Sequence, residues 1–502
     1  MEGREVAPAR SPAAAALRAI LLVLPAVALT VHAATVPVAR IVGRVPDDAL
    51  FYLVIARRLL AGEGFTFDGV APTTGFHPAW LALVTATAPV GDPTAGFPGL
   101  ILLHGAAVVA SVLLLDGVLL RAGVGRGRAG VSATAAGAWA ATAYGLGMET
   151  ALVSALALAT IRLGLRLERG GEGGHLGAAV LGFALGITRV DAAPLLLGAG
   201  RRAPTALLGG AAGVAATLAF NRAVAGEWVS TAAGIKGLGS VVDRLGRLNP
   251  GAMWRHLPAP AVGAIVVIVL ALVVGRARVP RPMLLAGAGA AAWIAASYLF
   301  NNLVGPWYLL PPTWILVASA VVATGSCSRR VGAALTGVLV VTLLRTVALP
   351  APGLHATVVD FARAVNAATP PDARVLAEDF PGIVAWFGER TVLPGDGLAT
   401  EAGYRIALTT GTVLAWWEAR GATHYAVTRR RAAWSEERPL VDRIAPPFLP
   451  VPPSPVPLDA ERRRVERVDP GSGRLFALYP LDGQGDPEAV APGRYGGGAP
   501  VP

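Results

Sequence analysis

The sequence contains a single cysteine, Cys327, in 502 residues. That excludes an intramolecular disulfide and a thiolate metal cluster, so any globular part must rest on its own packed core. Charge is also scarce: 15% of residues are charged against 54% hydrophobic, and the mean hydropathy is +0.56. So little polar surface cannot cover a water-soluble globule, and a membrane is the natural solvent. A P-loop, a Ser-His-Asp order and a zinc signature are missing, and His32, His104, His175, His256, His355 and His424 lie scattered without ligand spacing. The net charge of +11 comes from short basic clusters between apolar runs, not interleaved with aromatics. This argues against nucleic acid as a partner and marks the clusters as topology signals.

A spanning helix needs about 20 apolar residues, fewer where it is broken or buried among others. The apolar runs predict eleven spans, at about 14–36, 98–120, 130–146, 148–167, 176–188, 190–200, 203–220, 259–275, 283–302, 307–325 and 331–349. The first is too long for a signal-peptide core and reads as a signal anchor, although Ala33-Ala34 offers a small-residue cleavage option. Arginines before the first span (Arg4, Arg10, Arg18) and after the second (Arg121, Arg126, Arg128) fall on one side. Arg162, Arg166 and Arg169, then Arg201 and Arg202, then Arg276, Arg278 and Arg281, and finally Arg329 and Arg330 fall there too. Positive charge stays in the cytoplasm, so the N-terminus is inside and the chain beyond Pro350 outside. Counting 79–90 as a span would invert every later cluster, so this run is assigned to the interface or to a dipping helix.

The expected architecture is an all-α polytopic membrane domain over 1–351, with a first extracytoplasmic loop at 37–97. A C-terminal extracytoplasmic α/β domain follows over 352–482, where charges of both signs appear and strand-like runs such as 374–377 and 424–427 alternate with helical periods. Residues 446–457 are proline-rich and expected to be extended, and the Gly/Pro-rich tail, 483–502, is expected to be disordered. No internal repeat is visible.

The first outer loop opens with Pro46-Asp47-Asp48-Ala49-Leu50-Phe51-Tyr52. A helix over 49–61 follows, in which Leu50, Leu53 and Val54 edged by Arg57 and Arg58 predict an amphipathic helix lying on headgroups. The Asp pair then stands at its N-terminus. One reading is plain capping of backbone donors; the other is that one carboxylate deprotonates an acceptor hydroxyl while its neighbour positions it or holds a divalent cation. Gly62-Glu63-Gly64-Phe65-Thr66-Phe67-Asp68-Gly69 is a turn, and Gly75-Phe76-His77-Pro78-Ala79-Trp80 leads back to the membrane.

Together these segments resemble the first outer loop of the GT-C superfamily, integral membrane glycosyltransferases that take sugars from lipid phosphate carriers. The likeness is to the bacterial arabinofuranosyltransferase-like branch and, more distantly, to lipid A aminoarabinose transferases and protein O-mannosyltransferases. Gly147-Met148-Glu149-Thr150 and Thr188-Arg189-Val190-Asp191 resemble further elements of that branch, as do Asn221, Lys236 and Trp307-Tyr308 in their positions. Ser230-Thr231-Ala232-Ala233-Gly234 departs from it, lacking the proline usually found before the lysine. Gly395-Asp396-Gly397 resembles a turn that would shape the cavity roof.

The physics runs parallel. Glu149, Arg189 and Asp191 are ionisable groups within or beside apolar spans, tolerable when they pair or line a polar cavity, and on this topology they share the outer side with the Asp pair. A structural ion-pair network locking short helices is the alternative.

The resemblance implies an inverting transfer of a sugar from a polyprenyl-phosphate donor to a glycan, lipid or protein acceptor outside a bacterial cytoplasmic membrane. Asp47 would be the general base, and Asp48 would support it or hold Mg or Mn. Arg57, Arg58, Arg189 and Lys236 would face the anionic donor, with His77, Glu149, Asp191, Trp307 and Tyr308 completing the site. Trp386 is expected in a core, and one of Trp416 and Trp417 must face away from it. A lipid or polysaccharide transporter and a catalytically silent scaffold are the rival readings. The absence of inverted repeats disfavours the first, and the intact Asp pair the second.

Overall fold

The structure is a computed structural model. It describes residues 12–481 except 172, 201, 239–257, 276–278, 301–304, 326, 348–352, 402, 431–439, 445–453 and 459–461. The expectations for Arg4, Arg10, Arg201, Arg276, Arg278, the tail and most of the proline-rich stretch lie outside the described residues.

The chain is mostly helical. Helix α1 (Pro12–Thr35) leads through a short α2 (Val38–Ile41) to α3 (Asp47–Leu60), and a turn-rich loop leads to α4 (Pro78–Thr87). Then come α5 (Pro93–Arg121), α6 (Arg126–Ala140), α7 (Thr150–Glu168), α8 (His175–Thr188), a 3-10 helix (Val190–Ala199), α9 (Pro204–Ala225) and α10 (Thr231–Lys236). Helices α11 (Ala259–Gly275) and α12 (Arg281–Phe300), a 3-10 turn (Pro306–Leu309), α13 (Leu310–Thr324) and α14 (Arg329–Arg345) complete this part.

Among the described residues, five helices are long and apolar enough to cross a membrane: Pro12–Thr35, Ala95–Arg121, Thr150–Glu168, Pro204–Ala225 and Pro306–Thr324. The remaining expected spans are helical as well. The run at 130–146 stops at Ala140 in turns, and that at 190–200 is 3-10, with Pro194 inside it. Leu17, Ile20, Leu21 and Leu24 stay exposed along α1, as do Leu207 and Leu208 on α9, surface that suits acyl chains rather than water. Helix α4, over part of 79–90, has ten residues, too few to span.

The chain from α15 (Leu354–Ala368) onward carries the sheets. Its elements are β1 (Arg374–Ala377), α16 (Pro381–Phe387), β2 (Thr391–Pro394), α17 (Tyr404–Thr410), α18 (Val413–Glu418), β3 (His424–Arg430), β4 (Leu440–Ile444), β5 (Ser454–Leu458), β6 (Val465–Val468) and β7 (Arg474–Pro480). A five-stranded sheet runs β2-β1-β3-β7-β6, with β1 parallel to β2 and β3, and β7 antiparallel to β3 and β6; β4 and β5 form a separate hairpin pair. Central strand residues Val375, Leu376 and Ala377 are fully buried, as a strand covered on both faces requires.

One apolar cluster joins the two parts: Phe51, Phe67, Trp80 and Leu100 pack in continuity with Phe361, Trp386 and Tyr404. Two expectations change here. Helix α3 begins at Asp47, not at 49, and every residue from Ala49 to Ala56 is buried. A helix lying on headgroups would bury one stripe, whereas α16 packs over α3 and closes its other face.

Candidate functional site

The carboxyl ends of β1 and β2 point at the first loop. Glycine lets this contact form: a Cβ on Gly75 would collide with the Leu398 carbonyl, and one on Gly382 would meet Asp47. Between these surfaces lies a cavity of about 270 Å³. It gathers Asp48 and Tyr52 from α3, His77, Met148 and Glu149 from the loops before α4 and α7, and Arg189 with Asp191. Lys236, Trp307, Tyr308 and, from the C-terminal region, Leu398 close it. A ligand cavity at the carboxyl ends of parallel strands is the usual arrangement of α/β sheets.

Its inner wall is a hydrogen-bonded charge chain. The Glu149 carboxylate is wholly buried; it receives Arg189 Nη1 at 2.5 Å on Oε1 and the Tyr52 hydroxyl at 2.8 Å on Oε2. His77 Nε2 stands 3.6 Å from Glu149 Oε1. Burial lowers the His77 pKa, against the pull of Glu149, so the imidazole is neutral at pH 7. Arg189 turns its other edge to Asp191, donating from Nε at 2.8 Å and from Nη2 at 2.7 Å, while Trp293 Nε1 donates to the same carboxylate at 3.2 Å. The guanidinium also lies 4.3 Å from the Tyr308 ring centre. A fork pinned on both edges and stacked on an aromatic is a rigid cation.

The outer wall carries the second cation. Lys236 Nζ lies 3.5 Å from Asp48 Oδ2. It is the only lysine among 43 basic residues of the chain. Helix α10, which ends on it, is capped by the Ser230 hydroxyl and tied to the first loop through Thr231, whose amide donates to Thr74 Oγ1 at 3.1 Å and whose hydroxyl lies 3.1 Å from that of Thr73. The Ser230–Gly234 stretch, where the expected proline is missing, therefore holds the lysine by a cap instead.

The Asp pair divides. Asp47 accepts the amide protons of Gly382 at 3.0 Å and of Ile383 at 2.6 Å, so it caps α16 from across the chain and does not line the cavity. Burial pushes its carboxyl up, opposed by those two amides. Asp48 faces the cavity. Arg57 and Arg58 do not line this cavity either. Asn221 turns away, donating to the Trp228 carbonyl at 3.2 Å. Trp386 and Trp417 are buried and Trp416 is half-buried under Arg420. No group of three or more His, Cys, Asp or Glu side chains among the described residues is placed to hold a metal ion.

Sequence reasoning passed over Tyr52 and Trp293, which orient Glu149 and Asp191. For Tyr52 a signal existed: it lies four residues past Asp48, on the same helical face.

No family model matches the chain, and no curated protein does. Solved structures do. ArnT from Cupriavidus metallidurans bound to undecaprenyl phosphate superposes with a TM-score of 0.51 at 14% identity, over 94% of this chain and 99% of that one. The same protein in the apo state gives 0.52 at 13% identity, over 93% and 98%. At such identity the likeness carries architecture alone, and it does not distinguish the arabinofuranosyltransferase-like branch. The chain thus has the fold of ArnT over 94% of its length.

Proposed function

We propose that the protein is a membrane glycosyltransferase that moves a sugar from a polyprenyl-phosphate donor to an acceptor hydroxyl on the outer side of a bacterial cytoplasmic membrane. The observation that carries this reading is the cavity in which a carboxylate, Asp48, stands beside two cations of fixed position, Lys236 and Arg189. The bound lipid of the ArnT structure, undecaprenyl phosphate, is the chemistry such a cavity would take.

On this reading Asp48 is the general base. It accepts the proton of the acceptor hydroxyl as that oxygen bonds to the anomeric carbon; the carbon–phosphate oxygen bond breaks, and its electron pair leaves with the polyprenyl phosphate. Lys236 and Arg189 stabilise the charge gathering on that phosphate. Displacement in one step inverts the anomeric centre. The role first expected of Asp47 passes to Asp48 because both Asp47 oxygens are engaged by the α16 amides. Asp47 becomes the residue that seats the C-terminal region over the cavity. Eleven spans, an inside N-terminus and an extracytoplasmic α/β domain over 352–482 complete the proposal. The arginine clusters and the apolar segments support it.

The test is transfer from radiolabelled polyprenyl-phosphate sugars in proteoliposomes. Asp48→Asn should lower turnover by about 10²- to 10⁴-fold with little change in donor KM, the signature of a lost base. Asp47→Asn, which keeps an acceptor for one amide, should lose far less. Full loss in a stable Asp47→Asn protein alongside an active Asp48→Asn would return the base to Asp47. Labelled lipid crossing the bilayer with no donor consumed would establish the transporter instead.

A further inference from the structure

A second, larger cavity of about 730 Å³ opens beyond the far end of α3. Its wall is formed by Val38 of α2, Arg57 and Arg58 of α3, Arg363 of α15, and Trp386 and Arg390 around α16. Helix geometry explains why it is separate. Arg57 lies nine residues after Asp48, about 900° of rotation at 100° per residue, and so emerges half a turn away from the first cavity.

The electrostatics of this wall are unbalanced. Four arginines line it against two acids, Glu63 and Glu389. Glu63 is taken by Arg58 Nη1 at 2.6 Å. Arg390 is spent on the chain itself, donating from Nη2 to the Asn366 carbonyl at 2.6 Å and to the Thr369 carbonyl at 2.8 Å. Among the described residues Arg363 makes a loose contact, 3.7 Å to Asp360, and is largely exposed. Arg57 is half-buried and meets no carboxylate among the described residues. Its guanidinium donates to the Ala385 carbonyl at 3.3 Å and lies 5.2 Å from the Trp386 ring centre. Burial and the neighbouring Arg58 charge both press its pKa down. Arg58 Nε and the Trp386 indole N–H have no acceptor among the described residues. A half-buried guanidinium whose nearby carboxylate, Glu63, is taken by Arg58, beside two donors without acceptors among the described residues, is costly unless an anion enters.

We propose that this cavity binds a phosphate anion, held chiefly by Arg57 and Arg58, at a site distinct from the cavity that contains Asp48. The place and lining fit a phosphorylated amphiphile. The cavity begins at Val38, three residues beyond the end of α1, and Val38 and Phe387 add apolar wall beside the cations. Guanidinium groups match phosphate with paired donors, and Arg57 and Arg58 keep donors that the Ala385 carbonyl and Glu63 do not take. The same chemistry could come from an anionic phospholipid headgroup or from a water-soluble phosphoryl compound. The inference goes beyond the transfer reaction and stands whether or not that reaction is found.

The full chain in detergent would be examined by native mass spectrometry with phosphatidylglycerol and, separately, phosphatidylcholine, and by thermal shift with glycerol phosphate and pyrophosphate. Arg57→Gln with Arg58→Gln should weaken phosphatidylglycerol retention about tenfold and leave phosphatidylcholine unaffected. Because Arg57 also braces α16, Arg58→Gln with Arg363→Gln provides a variant that spares it and should show a smaller loss in the same direction. Protection of the wild type, but not of the variants, by the soluble phosphates without lipid retention would assign the site to a soluble ligand. Equal retention and equal protection in wild type and both variants would overturn the proposal.

Discussion

Asp396 shows how one residue ties the C-terminal region to the cavity. Its carboxylate accepts the Leu398 amide proton at 3.0 Å, inside the loop that brings Leu398 to the cavity wall. Burial pushes its pKa up to about 8; the Leu398 amide opposes this, and the charges of Asp48 and Asp379 add to it. In the unfolded chain the group ionises near pH 4. The folded protein therefore holds an extra proton between about pH 4 and pH 8. Its stabilising effect is complete below that window and is lost as pH rises through it, by at most about 1.4 kcal/mol per pH unit. Asp396→Asn should remove this dependence, so the variant should gain melting temperature relative to wild type as pH rises from 6 to 8. Parallel stability curves over that range would show that Asp396 is ionised in the fold. The neighbouring Asp pair was legible in the sequence, but its division of labour was not. Consecutive residues on a helix project about 100° apart, and which of two directions meets a cavity depends on what packs around the helix.

Among the elements, the α8–α9 hairpin is held by backbone contact rather than by interlocking side chains. A Cβ on Gly182 would collide with the Ala206 carbonyl and stand 2.8 Å from the Gly210 amide, and Gly186, Gly209 and Gly213 are similarly crowded. In lipid, where apolar side chains gain little from leaving the solvent, such close approach is what binds helices together. Gly182→Ala should therefore cost about 1–3 kcal/mol of stability, read as a lowered melting temperature in detergent. Gly177→Ala on the same helix, where nothing lies within 4 Å, should be neutral or mildly stabilising. Equal effects at both positions would mean the two helices do not touch there. The glycines were visible in the sequence, but their partners were not, since composition does not say which helices are neighbours.

At the scale of the whole molecule, the proposed topology rests on arginine clusters, and the lone cysteine offers a direct check. Cys327 is half-buried in the connection between α13 and α14, beside Arg329 and Arg330. With the N-terminus inside, this connection faces the cytoplasm. A membrane-impermeant maleimide should label Cys327 in inside-out vesicles and not in sealed right-side-out ones. Labelling from the outside would reverse the orientation and place the Asp48 cavity in the cytoplasm.

The sequence alone determined that the chain needs a membrane, because 54% hydrophobic residues and 15% charged ones leave no other solvent. It also singled out Glu149, Arg189 and Asp191, since ionisable groups within or beside apolar spans are expensive without a purpose, and, through the adjacent Asp pair and the resemblance, Asp48, His77, Lys236, Trp307 and Tyr308. Tertiary structure alone decided that these eight line one cavity, that Asp47 caps α16, and that Arg57 and Arg58 serve a different cavity. The reason is geometric. Hydropathy is a property of each residue and survives in one dimension, whereas the direction of a side chain is set by the rotation of its helix and by the element packed against it. Helix α16, more than three hundred residues away in sequence from α3, takes up the first aspartate of the pair and leaves the second to the cavity.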